Sequence, residues 1–393
     1  MKKNILSYLF FILAFSGFVF LRIFAGKNLA ESKGEAVAAV NRAEDEVNRT
    51  IDEVYPHADG SGTDSKADES NVLTETDNGA DDEKHTGEEE SAEAGILNDE
   101  WRGDFSPIEP FNGELPRIVC WGDSLTSSYD KRTAYPDVLR DITGCDVVNY
   151  GVESENTKMI AMRQGGVRVN VKATVIPSEC QMIPIFLRTE DDGHVFYLDN
   201  GDEGVNPCSI CGIEGTLEKI NGAYYFTRSS KGERISVPEG TQFKTFGMND
   251  AKEDDVLVIF TGTNDMPDSD SVYEVIRMQR AMIEAAGCER YLVIGMTYAG
   301  GMPEIDTVNE ILANEYEDHF IDIRTYMLSF GIEDAGLSES AGDKEDIAKG
   351  EIPRSLRKDY VHGNADFYRL LAKQVQRRMQ YLGYLPMTEA VNE

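Results

Sequence analysis

The sequence predicts an α/β fold, in which a parallel sheet is covered by helices on both faces and a small antiparallel β unit is inserted. Five short apolar runs recur along the C-terminal part of the 393-residue chain, and helical stretches lie between or after them. The runs lack polar alternation, as strands buried on both faces require. Residues 166–250 instead alternate apolar and polar positions between turn signals, which is typical of antiparallel hairpins.

The five predicted strands are Arg117–Trp121, Asp146–Tyr150, Asp255–Thr261, Arg290–Thr297 and His319–Ile323. Helices are clearest at Ser271–Ala286 and Asp366–Leu382, where apolar residues recur at three- and four-residue spacing. A helix of about ten residues after the second strand should carry the chain to the N-terminal edge of the sheet. We therefore expect the insertion, residues 166–250, to lie away from the C-terminal edge unless it folds back. Substrate recognition and scaffolding both stay open as its role.

The first 112 residues predict a membrane segment followed by a tether. Residues 1–26 begin with two lysines and then run almost without charge from Ile5 to Leu21, which favours an uncleaved signal-anchor over a cleaved signal peptide. Residues 27–112 are predicted to be an acidic disordered linker, because Asp and Glu outnumber Lys and Arg 22 to 5 over residues 31–100. The folded domain is then residues 113–393, outside the cell. A net charge of −33 argues against binding nucleic acid through the overall field.

Three of the six cysteines lie in or just before predicted strands and are interpreted as packing thiols: Cys120, Cys145 and Cys288. The other three lie in the insertion, where Cys208-x-x-Cys211 with Cys180 predicts one disulfide or free thiols. A zinc site would need a fourth ligand, and only His194 is near in sequence. We therefore predict no metal.

A reactive serine is predicted at Gly122-Asp123-Ser124-Leu125, directly behind the first apolar run. Open α/β sheets keep reactive groups at the C-terminal ends of strands, and we expect Gly122 to let the backbone turn tightly there. Of the five histidines, His362 alone lies in a polar loop of the α/β part, because the others fall in the linker, in the insertion or at the start of a strand. Asp359, three residues upstream, can orient its imidazole as the partner of a general base.

Donors for an oxyanion are predicted at the same edge. Gly151 follows the second strand and can offer its backbone N–H without a side chain in the way. Asn264, in Gly262-Thr263-Asn264-Asp265, follows the third strand and can offer its side-chain amide. Ordinary turn chemistry explains either loop taken alone, so only their convergence on Ser124 carries weight.

Four segments in order resemble the SGNH or GDSL hydrolase family: Gly122-Asp123-Ser124-Leu125, Gly151, Gly262-x-Asn264-Asp265 and Asp359-x-x-His362. The resemblance covers residues 117 to about 382 apart from the insertion. It implies a flavodoxin-like three-layer α/β/α sandwich with a five-stranded parallel sheet, and a serine esterase that needs no cofactor.

The same resemblance implies a role for each matching residue. Ser124 would be the nucleophile, His362 the base and Asp359 its partner. The oxyanion hole would consist of the Ser124 N–H, Gly151 and Asn264, with Asp123 and Asp265 in support. Val152-Glu153-Ser154 departs from the pattern, because many relatives have further glycines there.

Together these features predict a membrane-anchored extracellular ester hydrolase that works through an acyl-enzyme. The expected substrate is an acetyl or other short acyl ester on a polysaccharide or small molecule. Tethering at a membrane leaves a lysophospholipase-like or thioesterase activity as the alternative enzyme. A glycan-binding surface protein that uses the β insertion is the alternative outside enzymes.

Overall fold

The structure is a computed structural model, and it describes residues 101–127, 133–298 and 303–387. The predicted signal-anchor and most of the predicted linker lie outside these residues. None of the helices in the described part of the chain has the length and apolar character that a membrane span needs.

The first elements of the α/β part are β1 Ile118–Gly122, α1 Ser124–Ser127, α2 Tyr135–Thr143, β2 Val147–Gly151 and α3 Thr157–Gln164. The insertion follows with β3 Val169–Val171, β4 Thr174–Ile176, β5 Ile183–Ile185, β6 Leu187–Thr189, β7 Cys208–Ile210, β8 Ile213–Ile220, β9 Ala223–Arg228, β10 Ile235–Val237, β11 Thr241–Lys244 and α4 Phe246–Asp250. The chain then forms β12 Val256–Phe260, α5 Val272–Ala286, β13 Arg290–Ile294, α6 Ile305–Tyr316, β14 Phe320–Ile321, α7 Ile323–Ser329, α8 Gly331–Asp334, α9 Ala341–Ala348 and α10 Ala365–Tyr381.

The central sheet has five parallel strands in the order β14-β13-β12-β1-β2. Counted along the chain this is 2-1-3-4-5, the strand order of flavodoxin-like sheets. The predicted five-stranded parallel sheet is therefore confirmed. Its last strand is shorter than predicted, because Glu317–His319 forms a 3₁₀ turn and only Phe320 and Ile321 pair with β13.

Two separate apolar layers lie on the two faces of this sheet. Cys120 and Val258 pack with residues of α2, α7 and α10, whereas Val119 and Leu257 pack with residues of α3, α5 and α6. Successive side chains of a strand point to opposite faces. Strands covered by helices on both sides must therefore be apolar at every position, which explains the uninterrupted runs in the sequence.

The predicted boundary at residue 113 is wrong, because the chain is already packed at Trp101. The Trp101 side chain is 4% exposed and lies 5.6 Å from the Tyr326 ring, centroid to centroid. Arg102 forms an ion pair with Asp334 at 2.6 Å, and the Ile108 N–H donates to the Tyr381 carbonyl. The last residues assigned to the linker therefore belong to the folded part.

The insertion contains a seven-stranded and a two-stranded antiparallel sheet within residues 166–250, all of which the structure describes. The predicted antiparallel unit is thus confirmed, and it has an apolar core of its own, which includes Val169, Phe226 and Phe243. Asn221-Gly222 joins β8 to β9 with φ of 50° and 79°, the left-handed pair that a tight two-residue hairpin requires.

Part of the insertion folds back to the C-terminal edge of the sheet, which is the exception that the sequence left open. A Cβ on Gly201 would lie 2.9 Å from Cγ1 of Val152, the residue after β2. A Cβ on Gly204 would lie 2.9 Å from the Trp121 ring and 3.1 Å from the Tyr150 ring. Residues 201–204 are therefore packed against the ends of β1 and β2.

All six cysteines are free thiols. Cys208 is buried in β7 and Cys211 is exposed in the turn between β7 and β8, with a φ of 52°. One side chain faces the core and the other faces solvent, so this pair is not bridged. Cys120, Cys145 and Cys288 are buried, as the sequence predicts.

Candidate active site

Ser124 is the first residue of α1, two residues after β1 ends. The register of the sheet pairs Gly122 with both Gly151 and Phe260, so the three loops that follow these strands leave the sheet at one level. The chain passes from β1 into α1 directly after Gly122, although Gly122 itself has no positive φ. A Cβ at this position would instead lie 2.0 Å from Oγ1 of Thr126 and 2.5 Å from the Phe260 carbonyl oxygen, so glycine is required for space.

Ser124, His362 and Asp359 form one hydrogen-bonded series. Nε2 of His362 lies 2.9 Å from Oγ of Ser124, and Nδ1 lies 2.9 Å from Oδ2 of Asp359. When Nδ1 carries the proton, it donates a hydrogen bond to the Asp359 carboxylate. Nε2 is then free to accept a hydrogen bond from the Ser124 hydroxyl. Burial would raise the pKa of Asp359, but bonds from the N–H groups of His362 and Val361 and from the imidazole outweigh it and hold that pKa below its usual value.

The loop of residues 357–364, which we call the His362 loop, is fixed by its own backbone and by α9. The Lys358 N–H donates to the His362 carbonyl at 2.8 Å, and the Asn364 side chain donates to the Ser355 carbonyl at 2.7 Å. Asp343 of α9 accepts the Ser355 N–H and hydroxyl at 2.9 and 2.8 Å. A buried carboxylate thus holds the segment that leads into the loop.

Asp123, the residue before Ser124, is buried. Its side chain is 1% exposed, Oδ1 accepts the Leu125 N–H at 2.8 Å, and Oδ2 has no hydrogen-bond partner among the described residues. Burial raises the pKa of Asp123 to about 7, and the nearby carboxylates of Asp265 and Glu155 add to the effect. Asp123 therefore holds the first turn of α1 through its bond to the Leu125 N–H.

Gly151 lies at the predicted edge, but its N–H is already bonded within the chain. It donates to Oδ1 of Asn149 at 2.9 Å, and the same side chain donates to the Thr126 carbonyl. A Cβ on Gly151 would lie 2.2 Å from the Ser127 nitrogen. The glycine thus lets α1 approach β2, and the N–H that the sequence predicts as an oxyanion donor is bonded to Asn149 in this structure.

Asn264 is exposed in the loop after β12, and its side-chain amide is held by one hydrogen bond. One N–H of the amide donates to the Glu155 carbonyl at 2.8 Å. An amide nitrogen carries two N–H groups, so the second remains available for a ligand. The neighbouring Asp265 accepts the N–H and hydroxyl of Thr157 at 2.8 and 2.7 Å, which joins this loop to the start of α3.

The residue that the sequence did not single out is Ser154, in the β2–α3 loop (residues 152–156). It is exposed and has a φ of 65°, a left-handed conformation that is uncommon for a residue other than glycine. Such conformations collect at functional sites. The available signal was the departure from glycine at this point of the motif.

No group of three or more His, Cys, Asp or Glu side chains in the described ranges is arranged to hold a metal ion. The fold and contacts define the chain as an α/β protein with a Ser–His–Asp series at the C-terminal edge of a parallel sheet.

No family model matches the chain, and no curated protein matches it. Among solved structures, it is similar to a protein described as a lipolytic protein of the G-D-S-L family from Desulfitobacterium hafniense. The two are 14% identical with a TM-score of 0.34, over 67% of this chain and 98% of that chain. A lipolytic G-D-S-L family member from Veillonella parvula is 16% identical with a TM-score of 0.34, over 67% of this chain and 97% of that one. A protein described as a GDSL-like lipase from Bacteroides ovatus is 10% identical with a TM-score of 0.34, over 72% of this chain and 56% of that one.

Proposed function

We propose that the chain is a serine ester hydrolase of the GDSL type. One observation carries the proposal: Oγ of Ser124 lies 2.9 Å from Nε2 of His362, whose Nδ1 lies 2.9 Å from Asp359. A hydroxyl next to a base that is itself oriented by a carboxylate is the arrangement that activates a serine nucleophile. Its position at the C-terminal edge of the sheet agrees with this role.

The contacts support a two-step acyl transfer. Oγ of Ser124 would attack the carbonyl carbon of the ester while its proton moves to Nε2 of His362. The tetrahedral intermediate would then collapse, and the leaving alcohol would take the proton from Nε2. Water would attack the acyl-enzyme and give a proton to Nε2. As the bond between the acyl carbon and Oγ breaks, Nε2 would return that proton to Oγ, which releases the acid and restores Ser124. Asp359 would hold the imidazole in the required tautomer and stabilise its charged form.

The developing oxyanion would meet the Ser124 N–H and the second N–H of the Asn264 amide. The Ser124 amide begins a helical turn, and the first amides of a helix have no acceptor within it. The third predicted donor is the Gly151 N–H, which is bonded to Oδ1 of Asn149 in this structure, so an oxyanion bound there would replace that bond.

We infer that the substrate is a short acyl ester, such as an acetyl ester, on a polysaccharide. The predicted anchor and tether would hold the enzyme at a cell surface, where such esters are accessible. Tyr360, in the His362 loop, is 71% exposed, and the Arg357 guanidinium lies 4.7 Å from its ring centroid. An exposed ring beside the reacting groups offers a flat apolar face to a sugar. The net charge of −33 disfavours approach to an anionic lipid surface.

The test is hydrolysis of aryl esters of increasing acyl length and of acetylated oligosaccharides by the full-length chain. Ser124→Ala should abolish turnover, whereas Ser127→Ala, a matched change on the same helix, should retain it. Absence of Ser124-dependent turnover on every ester would refute the proposal. Preference for long acyl chains would assign the enzyme to lipids, and binding of glycans without turnover would favour the glycan-binding alternative.

We also infer that the enzyme is held outside the cell by residues 1–26 as a signal-anchor and tethered by the linker. The support is the apolar run that follows Lys2 and Lys3. Full-length protein in a bacterial host should sediment with membranes, and protease added to intact cells should release the folded domain. Recovery of intact protein in the cytosol would contradict this localisation.

A further inference from the structure

Arg163 of α3 is a buried charged side chain that the proposed chemistry does not use. It is 1% exposed, and its partner Glu155 in the β2–α3 loop is 2% exposed. Nε of Arg163 donates to Oε2 of Glu155 at 2.7 Å, and Nη2 lies 2.6 Å from the same oxygen. Burial raises the pKa of Glu155 while the Arg163 charge opposes that rise.

The pair acts on the loop that supports the proposed oxyanion donor. The Glu155 carbonyl accepts the Asn264 amide at 2.8 Å, and Nη1 of Arg163 donates to the Tyr150 carbonyl at 3.0 Å. Arg163 therefore holds the chain at both ends of residues 150–155. A shift of Glu155 would move the carbonyl on which the Asn264 amide rests.

The insertion holds Arg163 from the other side. Nη1 also donates to the Glu203 carbonyl at 2.7 Å, and the Thr245 hydroxyl donates to the Arg163 carbonyl at 2.7 Å. The Trp121 ring lies under the guanidinium, 5.2 Å from Cζ to the centroid. Two separate parts of the insertion thus contact one residue of α3, Glu203 through the Arg163 side chain and Thr245 through the Arg163 carbonyl.

Stability alone does not account for this arrangement. Replacing a buried ion pair by apolar residues of similar volume is often neutral or stabilising. The planar guanidinium instead offers donors in fixed directions, and here they meet one carboxylate and two carbonyls. Fixed directions matter at a site where a displacement of about 1 Å can cost about 100-fold in rate.

We propose that Arg163 is a positioning residue of the active site, which sets the Asn264 amide through the Glu155 carbonyl and is itself fixed by the insertion. The insertion is then part of the catalytic apparatus and not only an appended unit. This inference rests on the proposed ester hydrolysis.

The test compares Arg163→Lys with Arg228→Lys in the full-length chain. Arg228 is the matched control, since it is also buried and donates to the carbonyls of Pro177, Ser230 and Glu233, all within the insertion. Lysine keeps the positive charge but lacks the planar set of N–H donors that the guanidinium offers. We expect Arg163→Lys to lower kcat by about 10- to 100-fold with KM within about threefold, because a misplaced donor loses part of the 10²–10³-fold that one donor supplies. Arg228→Lys should leave kcat within about twofold, since it has no contact with the site.

The double variant with Asn264→Ala decides whether Arg163 acts through that amide. Asn264→Ala alone should lower kcat by about 10²–10³-fold, and adding Arg163→Lys should cost less than about threefold more. Additive losses, or an equal loss in Arg228→Lys, would overturn the inference. Glu155→Gln keeps shape and an acceptor oxygen, so it repeats the cycle if Arg163→Lys does not fold. Absence of Ser124-dependent turnover in the wild type would overturn the proposed function and this inference together, whereas additive losses in an active enzyme overturn only the inference.

Discussion

Asp123→Asn should make the protein more stable at neutral pH and leave its stability at about pH 4 unchanged. The carboxyl is 1% exposed, and its Oδ2 has no partner in the part of the chain that the structure describes. Burial raises its pKa from 3.8 to about 7. The folded state therefore keeps a proton that the unfolded state has already released between about pH 4 and pH 7.

The sign and the size of this change in stability follow from the difference between the pKa of Asp123 in the folded and the unfolded state. The folded state binds more protons than the unfolded state in this window, so the free energy of unfolding falls as the pH rises through it. At 1.36 kcal/mol for each unit of pKa, the loss reaches about 4 kcal/mol above pH 7. Asparagine does not ionise, and its Oδ1 can still accept the Leu125 N–H. The variant should lack this loss.

Urea unfolding at several pH values from about pH 4 to about pH 8 measures the effect as the difference between variant and wild type. The difference should be near zero at the acid end and grow to about 4 kcal/mol in favour of the variant. Asp270→Asn removes a charge at an exposed position and is the matched control. Parallel curves for wild type and Asp123→Asn, or a variant that loses stability as the pH rises, would refute the reasoning.

Three further predictions concern the His362 loop, its support and the thiols. Asp359→Asn should lower kcat by about 10³–10⁴-fold in ester assays, because the imidazole loses the acceptor that orients it. The circular dichroism spectrum should stay unchanged, and a loss below about tenfold would contradict the role of Asp359 as the partner of His362. Although burial opposes it, donors from Ser340 and Ser355 lower the pKa of Asp343 to about 2, so Asp343→Asn should cost about 2 kcal/mol at pH 7. That cost should vanish as the pH falls from about 4 towards 2, and a cost that persists at acid pH in urea titrations would count against it. A thiol reagent should modify Cys180 and Cys211 rapidly in the native protein and the four buried cysteines only after unfolding, whereas fewer than two rapid thiols would indicate a disulfide.

The sequence was sufficient for the features that depend on local pattern. Strands buried on both faces must be apolar throughout, so the runs around Cys120 and Val258 located the sheet. The carboxyl ends of parallel strands meet at one edge, so a serine behind the first strand and an asparagine behind the third could be expected together. His362 followed by elimination, because few histidines lay in the α/β part.

Features that depend on distant contacts were beyond the sequence. Trp101 belongs to the core through packing on Tyr326, far along the chain, and no local pattern reports that. The Gly151 N–H bonds to a residue only two positions away, but the Asn149 side chain is held in place by its bond to the Thr126 carbonyl, which is distant in the sequence. The contact of residues 201–204 with the sheet edge likewise involves a distant residue, Arg163, which bonds to the Glu203 carbonyl. In the sequence, nothing distinguishes Arg163 from any other residue of a helix.

The bond between Arg163 and the insertion ends on the main-chain carbonyl of Glu203, while the Glu203 side chain is exposed. Every amino acid supplies the same carbonyl oxygen. Over evolutionary time the residue at position 203 is therefore free to change without loss of this bond, whereas a deletion in the surrounding loop would withdraw the oxygen. Related chains should accordingly preserve the length and path of this loop more strictly than its residues, and their insertions should diverge in sequence while the arginine on the third helix persists.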